Sequence, residues 1–274
     1  MRVLVTSEKD LASQTIKSVL ENEYGFSSYG ETFENNPILS LNESTILITT
    51  NRDMIYCDHL EQHFHAEAFI FCSRHRAESA KPSLLVHSTG NLGQEALFGG
   101  NPYEVSISAP SLVAAALRRL SIEQVERNLI DFDVSLEVTH HGPTSMNVPL
   151  VFVELGSTEE YWVHKEGARA VAAAVMDCTK EPIQTESVIG FGGTHYASKF
   201  NKLVLKKEYK IGHIAPKYSI NELTLDVVSQ MIKRTTGKVN KAIVDWKGMN
   251  AENKEHVFPI LDELKIEIVR DKDT

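Results

Sequence analysis

The sequence predicts an α/β fold, with one compact domain over residues 1–274 and a mixed, mostly parallel sheet flanked by helices. Short β-branched runs alternate with longer stretches of helical period, which is typical of this fold class. Hydrophobic residues make up 42% of the chain and charged residues 24%, so the chain can bury a core and is neither disordered nor fibrous. The sequence contains neither an internal repeat nor a low-complexity linker that would mark a domain boundary.

The predicted strands are short apolar runs bounded by polar residues. They cover residues 2–6, 46–50, 68–73, 83–87, 134–139, 149–155, 188–191 and 242–245. We expect 134–139 and 149–155 to pair with each other. Residues 33–41 are polar and contain a proline, which predicts a loop.

The predicted helices are those in which a start or stop signal agrees with the apolar period. They cover residues 11–21, 112–120, 157–176 and 223–235. Pro110 lies at the first turn of the second helix, where proline is tolerated. Ser157 and Glu160 have capping-box spacing at the start of the third, and Gly237 ends the fourth.

Cysteine usage and hydropathy indicate the compartment. Cys57, Cys72 and Cys178 lie far apart without C-x-x-C spacing, which argues against a disulfide scaffold and against a cysteine-rich zinc site. No apolar run reaches the roughly 20 residues that span a bilayer, and the amino terminus leads into a strand rather than a signal peptide. We therefore expect a cytoplasmic protein with no membrane partner.

Histidines gather where predicted strands pass into loops rich in Gly, Ser and Thr. The chain has 11 histidines. The histidine-bearing segments of this kind are 73–75 with 87–91, 139–144, 190–196 and 212–214. Open α/β sheets bind ligands beyond the carboxyl ends of their strands, so these histidines can meet in one pocket as metal ligands or as general acids and bases. For any single histidine, a hydrogen-bonded turn residue remains the alternative.

The catalytic candidates are His140, His141 and His195, and the same three residues with Glu154 are the metal-ligand candidates. Adjacent strand residues point to opposite faces, so His140 and His141 share a pocket only if the chain turns, as the following Gly-Pro pair predicts. Glu154 ends an apolar run, and its alternative role is a solvated carboxylate at the sheet edge. Mixed histidine and carboxylate ligands suit catalytic zinc, which keeps an open position.

A second set of residues is predicted to contact the substrate. These residues are His75, His87, Asn91, Gly192, Gly193, Tyr196 and His213. The glycine pair has neither dinucleotide-fingerprint nor P-loop spacing. Its backbone amides are instead candidates to stabilise an oxyanion.

Lysines concentrate directly after His195. Residues 199–217 contain six lysines and one glutamate, a local charge of +5, which leaves −14 for the rest of a chain whose net charge is −9. Charge that is segregated in this way can present a basic face to a polyanion, although a solvated lysine-rich surface fits the same pattern. The polyanion candidates are Lys199, Lys202, Lys206, Lys207 and Lys210.

These segments together resemble the archaeal and plant D-aminoacyl-tRNA deacylases, the second, non-bacterial type. The resemblance rests on SRHRAES with KPSLLVHSTGN, VTHHGPT with VPLVFVELGSTEEYW, IGFGGTHYASKF and IGHIAPKY, in order from residue 73 to 218. It implies a monomer with a fold similar to peptidyl-tRNA hydrolases and phosphorylases, and two zinc ions per chain. It also implies that D-aminoacyl-tRNA is the substrate and that no obligate protein partner is needed.

The residues and the resemblance lead to one hypothesis. The tRNA phosphates lie along the lysines, and a water activated by a metal or by one of the catalytic histidines attacks the ester carbonyl. His75 and His87 hold the ribose or act as further ligands. The alternatives are a nucleoside phosphorylase or zinc aminopeptidase on a similar fold, and a non-catalytic tRNA-binding module.

Overall fold

Two main β-sheets with flanking helices form the fold. The structure, a computed structural model, describes residues 1–274 except for the side chain of Tyr29. The strands are β1 (Arg2–Ser7), β2 (Ser27–Phe33), β3 (Asn36–Asn42), β4 (Thr45–Thr50), β5 (Ala68–Arg74), β6 (Ser83–His87), β7 (Gly90–Asn91), β8 (Glu104–Val105), β9 (Asp133–Leu136), β10 (Leu150–Gly156), β11 (Glu186–Phe191), β12 (Ile211–Ala215), β13 (Lys238–Val244) and β14 (Glu267–Arg270). The helices are α1 (Leu11–Tyr24), α2 (Pro110–Glu126), α3 (Glu159–Trp162), α4 (Lys165–Cys178), α5 (Ser198–Lys207), α6 (Leu225–Lys233) and α7 (Ala251–Glu263).

The larger sheet has the strand order β2-β3-β4-β1-β5-β10-β6-β9. Strands β4, β1, β5 and β10 run parallel, whereas β6 runs antiparallel to β10 and parallel to β9. One face of this sheet packs on α1, α2 and α4. On the opposite face Phe71 stacks on Phe152, with ring centroids 4.5 Å apart. Glu154 shares that face because side chains alternate along a strand.

The smaller sheet has the order β12-β11-β13-β14 and is parallel throughout. Its apolar core packs against α6 and α7. The segment after β9 joins the two sheets, since the amide of Val138 donates to His195 O at 3.1 Å and that of Thr139 donates to Ile214 O at 2.9 Å. The carboxyl ends of β9 and β11 therefore meet, and this junction positions the site.

The structure confirms the predicted fold class, a mixed and mostly parallel sheet flanked by helices, and corrects several elements. Residues 33–41, expected as a loop, belong to the β2–β3 hairpin, whose turn holds Glu34 and Asn35 at φ 50° and 66°. The runs 134–139 and 149–155 do not pair, because β6 lies between them. Alternation of apolar residues indicates which face of a strand is buried, but it does not identify the neighbouring strand.

The predicted capping box at Ser157 is also wrong. Two helices replace the single predicted one, and α3 begins after Thr158. The longer helix, α4, begins after His164, whose Nδ1 accepts a hydrogen bond from Gly167 N at 3.0 Å. Among the described residues, no helix has the length and apolarity needed to cross a membrane.

Candidate active site

Five histidines and two glutamates converge at the junction of the two sheets. The rings of His87, His141 and His195 surround that of His140, with centroids 4.3, 4.5 and 4.7 Å from it. The structure thus brings together side chains that lie up to 120 residues apart along the chain. The seven residues are His75, His87, Glu137, His140, His141, Glu154 and His195.

Glu137 is a residue that the sequence analysis missed. Its buried carboxylate accepts a hydrogen bond from His195 Nε2 at 2.9 Å and lies 3.5 Å from His75 Nδ1. In the sequence, Glu137 alternates with the apolar residues Leu136 and Val138. This pattern predicts a solvent-exposed side chain on the polar face of a strand. A usable signal was its position three residues before His140, in the predicted strand that leads into the histidine-bearing segment.

Glu154 lies between two histidines. Its carboxylate oxygens are 3.4 Å from His75 Nδ1 and 3.7 Å from His87 Nε2. Burial by itself raises the pKa of Glu154, but the two imidazoles outweigh burial and hold this pKa well below its ordinary value. Burial likewise lowers the pKa values of His75 and His87, and the carboxylates outweigh it and raise them.

Backbone carbonyls fix the tautomers of three histidines. Nδ1 of His140 lies 2.8 Å from Val138 O, and Nδ1 of His141 lies 2.6 Å from Gly142 O. A carbonyl only accepts, so each Nδ1 carries the proton and each Nε2 presents a lone pair. Burial lowers the pKa of His141 to about 4 and that of His140 well below its ordinary value. Both rings are therefore neutral, as a metal ligand must be.

His87 completes this arrangement. Its Nδ1 lies 3.3 Å from Ser88 O, so Nε2 points into the cluster. Within the part of the chain that the structure describes, His87 Nε2 and Glu137 Oε2 are buried without a hydrogen-bond partner, and they lie 3.9 Å apart. Buried polar atoms are normally paired, so two orphaned atoms at one place fit a ligand site.

Three groups of donor atoms can hold a metal ion, and in each group the atoms lie within 4.8 Å of one another. The groups are His87, His140 and His141; Glu137, His140 and His195; and His75, Glu137 and Glu154. The first and third groups share no residue, so the site has enough donors for two ions.

Two tyrosines border the cluster. The hydroxyl of Tyr196 lies 3.1 Å from His75 Nε2, and that of Tyr218 lies 3.2 Å from His195 Nδ1. Tyr196 was predicted from the sequence to contact the substrate. Tyr218 was not predicted, although Tyr218 ends the IGHIAPKY segment. Asn91 lies beside the cluster and donates to Gly99 O at 2.8 Å, so its amide holds a loop.

The backbone amides of the glycine pair are hydrogen-bonded within the protein. The amide of Gly192 donates to Ala215 O at 2.8 Å and that of Gly193 donates to Gly248 O at 3.3 Å. Both N–H groups are therefore occupied, and the predicted oxyanion role finds no support. Their φ angles of 102° and 82° explain why glycine stands at both positions.

His213 lies outside the cluster, fully buried. Its Nε2 lies 3.1 Å from Ser106 O and its Nδ1 lies 3.2 Å from the Thr139 hydroxyl. Because both ring nitrogens contact protein atoms, the predicted contact of His213 with a substrate finds no support. Its ring instead holds the strand segment that precedes His140.

The predicted phosphate-binding lysines lie mainly along α5, which starts next to the site and extends away from it. Helix α5 carries four of them and extends about 15 Å from the end next to Tyr196. Lys199 forms an ion pair with Asp271 at 3.3 Å, and Lys207 contacts the carboxyl-terminal Thr274. With Lys210, Lys207 lines a separate groove at the start of β11.

A cavity of about 1070 Å³ opens onto the cluster, lined by His75, His140, His141, His195 and Glu154 among others. A second cavity of about 360 Å³ shares His140 and His141 with it. The site thus belongs to a class of α/β proteins in which a buried histidine and carboxylate centre, able to hold metal ions, lies beneath an open cavity.

Comparison with known proteins narrows this class. The sequence profile of the D-aminoacyl-tRNA deacylase family matches residues 62–269. The chain is 35% identical to the D-aminoacyl-tRNA deacylase of Thermococcus onnurineus, covering 99% of this chain and 100% of that protein, and 36% identical to that of Methanocaldococcus jannaschii, covering 97% of each. The chain belongs to the D-aminoacyl-tRNA deacylase family, which confirms the resemblance seen in its motifs.

A solved structure shares the whole fold. The crystal structure of a conserved protein of unknown function matches with a TM-score of 0.90 at 29% identity, covering 99% of this chain and 95% of the other. The two-sheet arrangement that joins the histidine segments is therefore common to both proteins.

Proposed function

We propose that this protein hydrolyses the ester that links a D-amino acid to the 3′ end of tRNA and so removes mischarged tRNA. The observation that carries the proposal is the convergence of five histidines on Glu137 and Glu154 beneath a cavity of about 1070 Å³. The names of the full-length relatives support the substrate. They do not favour a phosphorylase, an aminopeptidase or a non-catalytic module.

Zinc suits the donor set, because imidazole and carboxylate ligands are those that Zn²⁺ accepts in catalytic sites. Two buried carboxylates also require positive charge nearby. One ion would be held by His87, His140 and His141, and a second by His75, Glu137 and Glu154. Bound zinc lowers the pKa of a coordinated water and polarises a carbonyl oxygen.

Among the seven residues of the cluster, His195 is the one that this assignment of metal ligands does not use, so it can act in proton transfer. Its Nε2 donates to Glu137, so Nδ1 carries the lone pair and accepts from the Tyr218 hydroxyl. The side chain of His195 is 38% exposed and lines the large cavity. We assign it to take a proton from the attacking water and to return it to the ribose oxygen of the departing tRNA.

Glu137 is the residue that orients this base. A carboxylate behind an imidazole fixes the ring and stabilises its protonated form. The carbonyl carbon gains the hydroxyl oxygen of the water, and the ester bond to the ribose oxygen breaks. The products are the free D-amino acid and tRNA with a free terminal hydroxyl.

The lysines of α5 are our candidates for the acceptor-stem phosphates. Changing Lys206 and Lys207 to Glu is expected to weaken tRNA binding and to flatten its dependence on salt. Unchanged affinity would show that these lysines form only a solvated surface. We also propose that the protein acts as a monomer in the cytoplasm without an obligate protein partner, as the resemblance to the family implies.

The deciding experiment measures deacylation of D-tyrosyl-tRNA and L-tyrosyl-tRNA by the purified protein, with and without a chelator. We expect hydrolysis of the D substrate only, loss of activity with the chelator, and recovery on addition of zinc. Folded protein that leaves D-tyrosyl-tRNA intact would contradict the activity. Hydrolysis that persists after measured removal of the metal would contradict only the zinc assignment.

A further inference from the structure

Two aromatic side chains are exposed beside the catalytic cluster. Tyr56 is 52% exposed and Phe98 is 67% exposed, and both line the large cavity together with His140 and His141. Burying an aromatic ring is favourable, so rings left open at the entrance of a site point to a ligand that covers them. Neither residue has a part in the catalytic proposal.

The segments that carry these rings are fixed to the histidine-bearing turn. The amide of Gly142, which follows His141, donates to Phe98 O at 3.0 Å. A Cβ atom at Gly142 would lie 2.5 Å from Ile55 O and 2.4 Å from Gly100 N, so both segments press against this turn. The aromatic rings are thus attached to backbone whose position relative to the histidines is set.

The chemistry of the substrate determines what must lie next to the histidines. The scissile ester sits on the terminal ribose, and the same ribose carries a nucleobase. When the ester carbonyl reaches the cluster, that base must occupy the cavity within a few ångströms of it. A single-stranded end offers flat base surfaces, and proteins hold such surfaces by stacking them on aromatic side chains.

We propose that Tyr56 and Phe98 bind the terminal nucleobases of the tRNA 3′ end by stacking. This proposal rests on the proposed function, because it takes the substrate to be an aminoacyl ester of tRNA. The two residues act in binding and do not take part in the chemical step. Stacking tolerates any base, so the pair contributes affinity for a single-stranded end rather than base discrimination.

The kinetic test uses D-tyrosyl-tRNA with Tyr56→Ala and Phe98→Ala. We expect KM to rise about 5- to 100-fold for each, with kcat within about twofold of the native value. The aromatic exchanges Tyr56→Phe and Phe98→Tyr should keep native KM. Val125→Ala is the control for loss of an exposed apolar side chain and should keep native KM, since Val125 is 76% exposed on α2 and lines neither cavity at the cluster. A fall in kcat with unchanged KM would contradict a role in binding.

The second test separates stacking from general damage and does not depend on catalysis. Fluorescence anisotropy measures the Kd of an uncharged acceptor minihelix that ends in CCA, and of the same minihelix with an abasic terminal nucleotide. The native protein should bind the abasic form about 5- to 100-fold more weakly. Phe98→Ala or Tyr56→Ala should shrink that difference by at least about fivefold.

Two results would overturn the proposal: a native protein that binds both minihelices equally, or variants that weaken both equally. Failure of the native protein to hydrolyse D-tyrosyl-tRNA would instead overturn the proposed function. The two failures are therefore distinguishable.

Discussion

The Nε2 of His195 donates a 2.9 Å hydrogen bond to Oε1 of Glu137, and this bond joins the two sheets at the cluster of histidines and glutamates. His195 follows β11 of the smaller sheet, and Glu137 follows β9 of the larger one. The backbone reinforces the contact, because Val138 N donates to His195 O at 3.1 Å. Neither sheet holds the complete site alone, so its geometry depends on the junction.

Glu137→Gln should lower kcat for D-tyrosyl-tRNA by about 10²–10⁴-fold. The amide keeps the shape of the carboxylate but loses the charge that supports His195 and that would hold the second zinc ion. Single-turnover deacylation measures the effect. The matched control is Glu123→Gln, which alters a buried carboxylate paired with Arg119 and Arg127. We expect that variant to lose stability and keep kcat. Native kcat in Glu137→Gln would remove Glu137 from the mechanism.

His141→Ala should lower the zinc content of the purified protein, because it removes one of three Nε2 donors of one candidate group. Elemental analysis after dialysis measures the metal content directly, without an activity assay. The control is His256→Ala, since His256 lies outside the donor groups and its Nε2 is 2.7 Å from Leu223 O. Equal metal content in both variants would contradict the ligand assignment.

Folding stability should fall as the pH drops from about 6.5 toward 4, in part because of His213. Burial lowers the pKa of His213 to about 4, whereas the unfolded chain binds a proton there near the ordinary value of 6.5. Between these values only the unfolded state is protonated, so lowering the pH favours unfolding. From pH 7 to pH 5 this one group removes about 2 kcal/mol of unfolding free energy.

The contribution of His213 is measured by urea unfolding of the native protein and of His213→Gln at both pH values. Glutamine does not titrate and can still donate to Ser106 O. The variant is expected to be less stable at pH 7 and to lose less stability on acidification. Equal losses in the two proteins would contradict the depressed pKa.

Gly192→Ala should lower both Tm and kcat. An alanine Cβ there would meet Met249 Cγ at 2.8 Å, and the φ of 102° costs an L-residue about 1–2 kcal/mol. The loop that carries His195 must then shift. Gly25→Ala is the control, because Gly25 has φ 82° with no atom within 4 Å of an added Cβ among the described residues. It should lower Tm less and leave kcat native, and an equal loss of kcat would contradict the local explanation.

The sequence by itself determined the fold class and the family, and it indicated all five histidines of the cluster. Strand alternation and helical period set which residues are buried, and these signals are local. His140, His141 and His195 stood out because each follows an apolar run in a turn-rich segment. Glu154 was identified for the same reason, as the polar end of a strand.

Only the tertiary structure shows which side chains face the cluster and which polar atoms are already hydrogen-bonded within the protein. Glu137 lies just after β9 and faces the cluster, whereas His213 lies in the middle of β12 and is enclosed by carbonyls and a hydroxyl. The sequence made the amides of Gly192 and Gly193 candidates to bind an oxyanion, but they donate hydrogen bonds to the carbonyls of Ala215 and Gly248. Hydrogen-bond partners come from segments distant in sequence, so local sequence does not specify them. Only the packing of those segments in the folded chain determines which atoms are paired.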